Sequence, residues 1–253
     1  MPVAAILGSA FHDAGLLGEP MHVDTPFGAT RVHRVGGDRL VLYRHGLPHR
    51  LLPHQLNWRA SAYALHALGV RALVVTSSVG VLDREVPLFE PLLVRDVLML
   101  DNRLPDGSTC TMFAEGGGPH LVLDEGLVSA SMNRQISEIA EEMGTPIRAE
   151  VDFGYVAGPR TKTRAENRMW ARLGAQVNSM TLAPELVLAN ELGIPCAGLV
   201  VGHKLSHPEH RSPDQAGVTE SLQRSRLVMG ELVRHVLERL EPPDFNNTLY
   251  RFQ

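Results

Sequence analysis

The stretch "PELVLANELGIPCAGLVVGHK", residues 184–204, joins a helix pattern to a strand pattern. Its first part repeats apolar residues at helical spacing and stops at Gly193, which is typical of a helix C-terminus. The part from residue 194 onward is apolar and β-branched, so it predicts a buried strand over 194–203. Because this strand runs into Lys204, we expect that lysine to reach a cleft at the end of the strand.

The same alternation runs along most of the chain. Apolar runs of strand length occur at 3–8, 39–46, 70–80, 92–100, 149–159 and 175–180. Segments with helical spacing occur at 56–69, 127–144, 164–174 and 218–240. Strands that alternate with helices predict an α/β fold of three layers, α/β/α, in which a mixed central sheet carries helices on both faces.

The overall composition is that of an ordinary globular protein. With 253 residues, 44% of them hydrophobic, we expect a single domain over 1–253. A net charge of −4 gives no reason to expect a nucleic acid or a membrane as partner, and it favours a small-molecule substrate.

Cys110 and Cys196 form no CxxC motif and predict neither a disulfide scaffold nor a zinc site. The N-terminal apolar run lacks a basic leader, so we expect a cytoplasmic protein.

Two segments show no periodicity. Residues 102–120 are rich in glycine and proline and longer than an ordinary connection, so we interpret them as a mobile loop over a site. Residues 241–253 predict a C-terminal tail, either loose or docked on a neighbouring subunit.

Three strand ends carry side chains suited to an anion. A guanidinium supplies a two-pronged donor, and hydroxyl and imidazole groups complete a donor shell around a phosphate. The alternatives at these places are an ordinary turn, a solvated basic loop and strand-end capping. The groups are Ser9 in "LGSA", Arg44 and His45 in "RHGLPHRLLPHQLN" (44–57), and Ser77 and Ser78 in "VVTSSVG" (74–80).

Two strand-to-helix junctions offer further candidates. In "AGPRTKTRAE" (157–166), Thr163 and Glu166 have the spacing of a capping box, which leaves Thr161 and Lys162 in the preceding loop. In "NSMTLAPE" (178–185), Met180 and Thr181 follow a strand, and Glu185 is expected to favour the positive end of the next helix.

The histidines near residue 205 raise the question of a metal. His203, His207 and His210 lie close in sequence, but their spacing is not helical and no carboxylate or cysteine pattern completes a site. We interpret them as solvated loop histidines and expect no metal.

Taken in order, these stretches resemble the trimeric purine nucleoside phosphorylase and methylthioadenosine phosphorylase family. The likeness spans most of the chain and includes "DTPFG" (24–28), "RHGLPHRLLPHQLNWRA" (44–60), "EVDFGYVAGPRTKTRAE" and "GAQVNSMTLAPELVLANELGIP". It implies a nucleoside phosphorylase-like fold, a homotrimer, and cleavage of a nucleoside by inorganic phosphate without a cofactor. The products would be a free base and ribose 1-phosphate.

The resemblance also implies roles for individual residues. His49 and Met180 match the ribose-binding positions. Val218 and Leu222 match loosely the place where methylthio-type members hold a substituted 5′ position. The positions of the phosphate site are Ser9, Arg44, His45, Ser77, Ser78 and Thr181.

The base-binding positions depart from the family pattern. Thr161 replaces a stacking phenylalanine, and Lys162 stands where oxopurine-type members have a glutamate. Lys204 stands where an Asn or Asp reaches N7 of the purine, and Ser206 replaces a further Asp of adenine-type members. The phosphate and sugar positions keep the family's residue types, so the departure is confined to the base.

A lysine at 204 is still able to stabilise an anionic leaving group, so Lys204 and His45 are the candidate catalytic residues. Two lysines favour a base with oxo or carboxylate groups over unmodified adenine. Alternatively, the lysines face solvent or pair with Asp13 or Glu185. The functional alternatives are therefore a phosphate-independent nucleosidase and a catalytically silent nucleoside-binding homologue.

Overall fold

The computed structural model describes residues 1–11, 15–206 and 215–252, without the side chains of 215–222 and 224. Its strands are β1 Val3–Leu7, β2 Glu19–Val23, β3 Thr30–Gly36, β4 Arg39–Tyr43, β5 Ala72–Val81, β6 Pro91–Leu98, β7 His120–Val122, β8 Ala149–Tyr155, β9 Val177–Ser179, β10 Cys196–Leu205 and β11 Thr248–Tyr250. Its helices are α1 Trp58–Ala67, α2 Ala130–Glu142, α3 Arg164–Arg172, α4 Ala183–Glu191 and α5 Gln215–Arg239. Each strand and helix predicted from the sequence is present.

Nine strands form one mixed sheet in the order β10-β6-β8-β9-β5-β1-β4-β3-β2. Strands β1, β4 and β5 run parallel, while β2 and β3 add an antiparallel edge. Strand β10 pairs with β5 as well as with β6, so one half of the sheet curls into a closed ring of strands. The mixed central sheet is confirmed, and the ring is a feature that the sequence pattern did not indicate.

Two hydrophobic cores lie on opposite faces of this sheet. On one face, alternate residues of β1 such as Ile6 pack with α1 and α4. On the other face, the intervening residues such as Leu7 pack with α2 and α5. Side chains of successive strand residues point to opposite faces, so a strand that is apolar throughout must be covered on both. Strand β1 is buried at every position, which explains the three-layer arrangement.

Predicted helix ends agree with the structure. Helix α3 begins with a capping box in which Thr163 Oγ1 accepts from the Glu166 amide and the Glu166 carboxylate accepts from the Thr163 amide. Helix α4 is followed by Gly193 at φ 72°, a left-handed conformation that glycine adopts without steric cost.

The sequence suggested that residues 102–120 form a mobile loop over a cleft, and this prediction was wrong. Cys110 and Met112 are buried against α1 and α4. Arg59 donates to the Thr109 and Thr111 carbonyls at 2.7 Å each, and the Glu191 carboxylate accepts from the Met112 amide at 2.6 Å. The apolar side chains within this glycine-rich stretch explain why it packs against α1 and α4.

The C-terminal residues are also held on their own chain rather than forming a loose tail. Strand β11 pairs antiparallel with β7. Asn247 Nδ2 donates to the Gly126 carbonyl at 2.7 Å and lies 2.9 Å from Asn190 Oδ1. Within the described residues, no helix is long and apolar enough to cross a membrane.

Candidate active site

A cavity of about 290 Å³ lies where several strands of the sheet end. Strands β1, β4, β8, β9 and β10 end beside it, and β5 contributes its second half. The described residues that line it are Ser9, Arg44, His45, His49, Leu52, Pro53, Ser77, Ser78, Gly80, Thr161, Lys162, Asn178, Ser179, Met180, Thr181, His203 and Lys204. The strand-end cleft expected from the sequence is thus present.

Arg44 is held rigidly at the inner side of this cavity. Its side chain is 3% exposed, and its Nε forms an ion pair with the equally buried Glu185 carboxylate. Nη1 donates to the Thr76 carbonyl at 2.8 Å. Nη2 is buried and has no hydrogen-bond partner among the described residues. Because a buried N–H without a partner is costly, Nη2 is the group that a ligand would satisfy.

Gly8 makes room for this arginine. A Cβ at position 8 would lie 2.8 Å from Arg44 Nη1 and 2.9 Å from the Thr76 carbonyl oxygen, closer than carbon atoms ordinarily approach. The Gly8 amide donates to Thr76 Oγ1 at 2.9 Å. The glycine of "LGSA" therefore serves the packing of the arginine, and Ser9 follows it at the edge of the cavity.

Ser77 and Thr181 place two hydroxyl groups beside one another. Ser77 Oγ and Thr181 Oγ1 are 3.0 Å apart, and both residues are at most 5% exposed. Thr181 precedes α4 through Leu182, which has φ 78°, and the Leu182 amide donates to the Glu185 carboxylate at 2.6 Å. Glu185 thus fixes both the arginine and the turn that carries Thr181. We call Arg44, Ser77 and Thr181 the buried end of the cavity.

Two histidines flank the buried end. The rings of His45 and His49 stack at 4.4 Å between centroids with planes 7° apart. His45 Nδ1 lies 2.8 Å from the Leu51 carbonyl oxygen, and because a carbonyl only accepts, Nδ1 carries the proton. This contact fixes the orientation of the His45 ring.

The other side of the cavity, which we call the lysine end, consists of Thr161, Lys162, His203 and Lys204. Lys162 is half-buried, and burial together with the nearby charge of Lys204 lowers its pKa from 10.5 to about 8. Lys204 is exposed and follows a bulge in β10, where the register shifts between Gly202 and Lys204. The bulge turns consecutive side chains toward the cavity, since His203 and Lys204 both line it.

His203 is a neutral group of the lysine end. Burial, followed by the charge of Lys204, lowers its pKa from 6.5 to about 4. Its Nδ1 is buried without a hydrogen-bond partner among the described residues, and the same holds for Asn178 Oδ1. The Asn178 amide group donates to Asn167 Oδ1 at 3.2 Å, which orients its oxygen. An unpartnered amide oxygen and an unpartnered imidazole nitrogen therefore accompany two ammonium groups.

The structure brings nearly all predicted site residues to this one cavity. Ser206 is an exception: it lies behind Gly80, where a Cβ would be 2.2 Å from Ser206 Oγ, and it does not line the cavity. The side chains of Val218 and Leu222 lie outside the part that the structure describes, as do residues His207, His210 and Asp13.

One interpretation of a single residue was wrong, and one was correct but incomplete. His203 is not a solvated loop histidine, because it lies in β10 and faces the cavity. Glu185 does more than favour a helix end, because it is buried and pairs with Arg44. That pairing also means that Glu185 is not the partner of a lysine. Asn178 was missed altogether, since nothing in a three-residue strand indicates which side chain faces a ligand.

A second cavity of about 350 Å³ shares the 46–51 loop and includes Arg31 and Arg50. It has no counterpart to the buried hydroxyl pair, so the chemistry points to the first cavity. Among the described residues, no group of three His, Cys, Asp or Glu side chains could hold a metal ion.

Comparison with known proteins agrees with this geometry. Residues 2–238 match the model of a family described as the phosphorylase superfamily. A probable S-methyl-5′-thioinosine phosphorylase of Methanopyrus kandleri is 30% identical over 96% of this chain and 94% of its own length. A probable 6-oxopurine nucleoside phosphorylase of Moorella thermoacetica is 34% identical over 79% of this chain and 77% of its own.

Solved structures show the same fold. A methylthioadenosine phosphorylase from Schistosoma mansoni, solved in complex with adenine, superposes with a TM-score of 0.81 at 22% identity, covering 94% of this chain and 91% of that one. This likeness confirms the predicted nucleoside phosphorylase-like fold.

Proposed function

Because this chain belongs to the phosphorylase superfamily, we propose that it cleaves a purine nucleoside with inorganic phosphate, giving the free base and a pentose 1-phosphate. The observation that carries the proposal is the buried end of the cavity. There a fixed guanidinium keeps its Nη2 amino group without a partner, in the same cavity as two adjoining hydroxyl groups. This donor set suits a tetrahedral oxyanion.

The Arg44–Glu185 pair supports phosphate as a co-substrate rather than a permanently bound ion. Glu185 offsets much of the arginine charge, so the cavity binds an anion through directed N–H and O–H donors more than through net charge. Such a site holds phosphate in position and still releases the phosphorylated product. Ser9, His45 and Ser78 complete the proposed phosphate shell.

The sugar would lie between the two ends of the cavity, near His49 and Met180, with the base at the lysine end. As the C1′–N bond breaks, its electron pair moves to the base and the sugar becomes cation-like. A phosphate oxygen then forms the new bond to C1′. Phosphate held beneath the ring stabilises this positive charge, and an ammonium group such as that of Lys204 stabilises the departing base.

Further properties belong to the proposal. The relatives' names support a 5′-methylthio nucleoside among the substrates. We also propose that residues 1–253 act as one domain, that the enzyme works without a metal or organic cofactor, and that it assembles as a homotrimer. Two buried, free cysteines suit a reducing cytoplasm.

The decisive experiment follows base release from inosine, adenosine, their 5′-methylthio forms and xanthosine, with and without phosphate. We expect release only with phosphate and formation of a sugar 1-phosphate. Equal release without phosphate would instead identify a hydrolytic nucleosidase, and calorimetric binding without any product would identify a silent homologue. Light scattering after gel filtration tests the trimer.

A further inference from the structure

The chain contains only two lysines, Lys162 and Lys204, and both line the same cavity. Every other side chain with a permanent positive charge is an arginine. A chain that uses arginine everywhere else has no general need for lysine. The compact ammonium group, which presents three donors from a point charge, is therefore a specific property of this cavity.

The lysine end lies some distance from the buried end. In the pairing of β10 with β5, Lys204 stands opposite Gly80, whereas Val200 stands opposite Ser77. Three residues along a strand correspond to roughly 10 Å, which is room for a sugar between the two ends. The ammonium groups are thus placed for the base rather than for the phosphate.

Nothing in the described lining neutralises these lysines. None of the described residues that line the cavity is an aspartate or glutamate. Glu166 acts on Lys162 from outside the cavity and raises its pKa slightly, but it is paired with Arg160, and the buried Glu185 is paired with Arg44. The two ammonium groups also repel one another, since the charge of Lys204 contributes to the lowered pKa of Lys162. A bound anion would relieve this repulsion.

The lysine end also offers two further polar atoms. Asn178 Oδ1 and the Nδ1 of neutral His203 are buried without partners among the described residues. The amide oxygen suits a ring N–H group, the imidazole nitrogen suits a ring N–H or a ring nitrogen according to its tautomer, and the ammonium groups suit exocyclic oxygens. A base with amino groups in place of those oxygens would place N–H donors against ammonium groups.

From these contacts we propose that the lysine end selects an acidic, oxo-substituted purine base, one that carries negative charge near neutral pH, over neutral oxopurines and aminopurines. The inference takes from the proposed function only that the cavity holds a nucleobase. Lys162 and Lys204 bind the exocyclic oxygens, Asn178 accepts from a ring N–H group, and His203 forms a hydrogen bond to a further ring nitrogen.

Binding of free bases tests this selection without requiring turnover. Xanthine, hypoxanthine and adenine share one ring system and differ in oxo groups and acidity. We expect calorimetry to show that xanthine binds at least about tenfold more tightly than hypoxanthine, as a hydrogen bond to a charged group predicts. Equal affinities for the three bases, or no binding of any of them, would overturn the inference.

Single substitutions test whether Lys162 and Lys204 are responsible for the preference for xanthine. Lys162→Met and Lys204→Met remove one charge each at similar length, and each is expected to reduce the preference for xanthine by about tenfold. Lys162→Arg keeps the charge and should keep part of the preference. Arg168→Gln removes a charge from the exposed side of α3, outside the cavity, and should change nothing. An equal loss for all three bases in the Met variants would contradict selective recognition.

Different results would refute the proposed phosphorylase activity and the proposed base selection. If inosine and xanthosine are cleaved with phosphate at equal efficiency, the phosphorylase activity stands and the selection is refuted. If xanthine binds selectively but no nucleoside is cleaved, the selection stands and the activity is refuted. The wild-type comparison needs no variant, so poor folding of a substituted protein leaves the test intact.

Discussion

The two ends of the cavity are built in opposite ways. At the buried end, Arg44, Ser77 and Thr181 are almost inaccessible, and each contacts another buried polar group. At the lysine end, Thr161 and Lys204 are exposed, and the charged groups face one another without a carboxylate among the described lining residues. Fixed donors of this kind suit a small ligand that never varies, whereas an open, charged end suits a group that differs between substrates.

The largest expected effect comes from breaking the buried end at Arg44. Arg44→Met should lower the phosphate-dependent kcat/KM by at least about a hundredfold, the usual loss for one oxyanion donor. It should also destabilise the fold by about 3 kcal/mol, because Glu185 is left buried without its partner. Steady-state kinetics and urea unfolding measure the two effects.

The double variant Arg44→Met/Glu185→Gln separates the loss of activity from the loss of stability. Removing both charges should restore most of the stability but none of the activity, because an isosteric neutral pair leaves no buried ion. Recovery of activity in the double variant would contradict a direct role of Arg44 in binding phosphate.

A second, smaller change tests the hydroxyl pair. Thr181→Val keeps the shape and removes the hydroxyl that contacts Ser77, so we expect the KM for phosphate to rise about tenfold. The KM for the nucleoside should change much less, and saturation kinetics in each substrate distinguish the two. Thr248→Val, at an exposed position of β11, is the control and should behave as wild type.

At the lysine end, a third prediction concerns acid stability. The folded protein keeps His203 neutral down to about pH 4, whereas an unfolded chain takes up that proton near pH 6.5. Stability therefore falls as pH falls through this interval, and His203→Asn should flatten the slope by up to about 1 kcal/mol per pH unit. Urea unfolding at a series of pH values measures it. His66→Asn, an exposed histidine of α1, should leave the slope unchanged.

The smallest expected effect is on the chemical reactivity of the Lys162 amine at the lysine end. Because the pKa of Lys162 is lowered to about 8, its amine should react with an amine-selective reagent severalfold faster than a free lysine derivative near neutral pH. Mass spectrometry of the labelled peptides gives the rate, which should rise through about pH 8. A rate that rises only at the pH of an ordinary lysine would contradict the lowered pKa.

Periodicity was sufficient to predict the main strands and helices, because β1, β5 and β10 are apolar runs closed by clear turn residues. Strands β2 and β3 were missed since they form an edge whose exposed positions carry histidine and arginine. Their regularity comes from pairing with neighbours, which a single sequence does not display.

For the site, sequence order was informative where a residue follows a strand within one or two positions, as Arg44 follows β4 and Thr181 follows β9. It failed where a contact joins distant segments. Glu185 and Arg44 are 141 residues apart, and no local pattern indicates that they pair. The direction of His203 depends on a bulge in β10, which arises from pairing with β5 rather than from the residue itself.

The Arg44–Glu185 pair has a consequence for how such a protein diversifies. Neither partner can be exchanged alone without leaving an isolated buried charge, so drift at these positions requires two coordinated codon changes. Lys162 and Lys204 carry no such restraint, and one codon change turns either into an uncharged residue. Substitutions should therefore accumulate at the lysine end sooner than at the buried end.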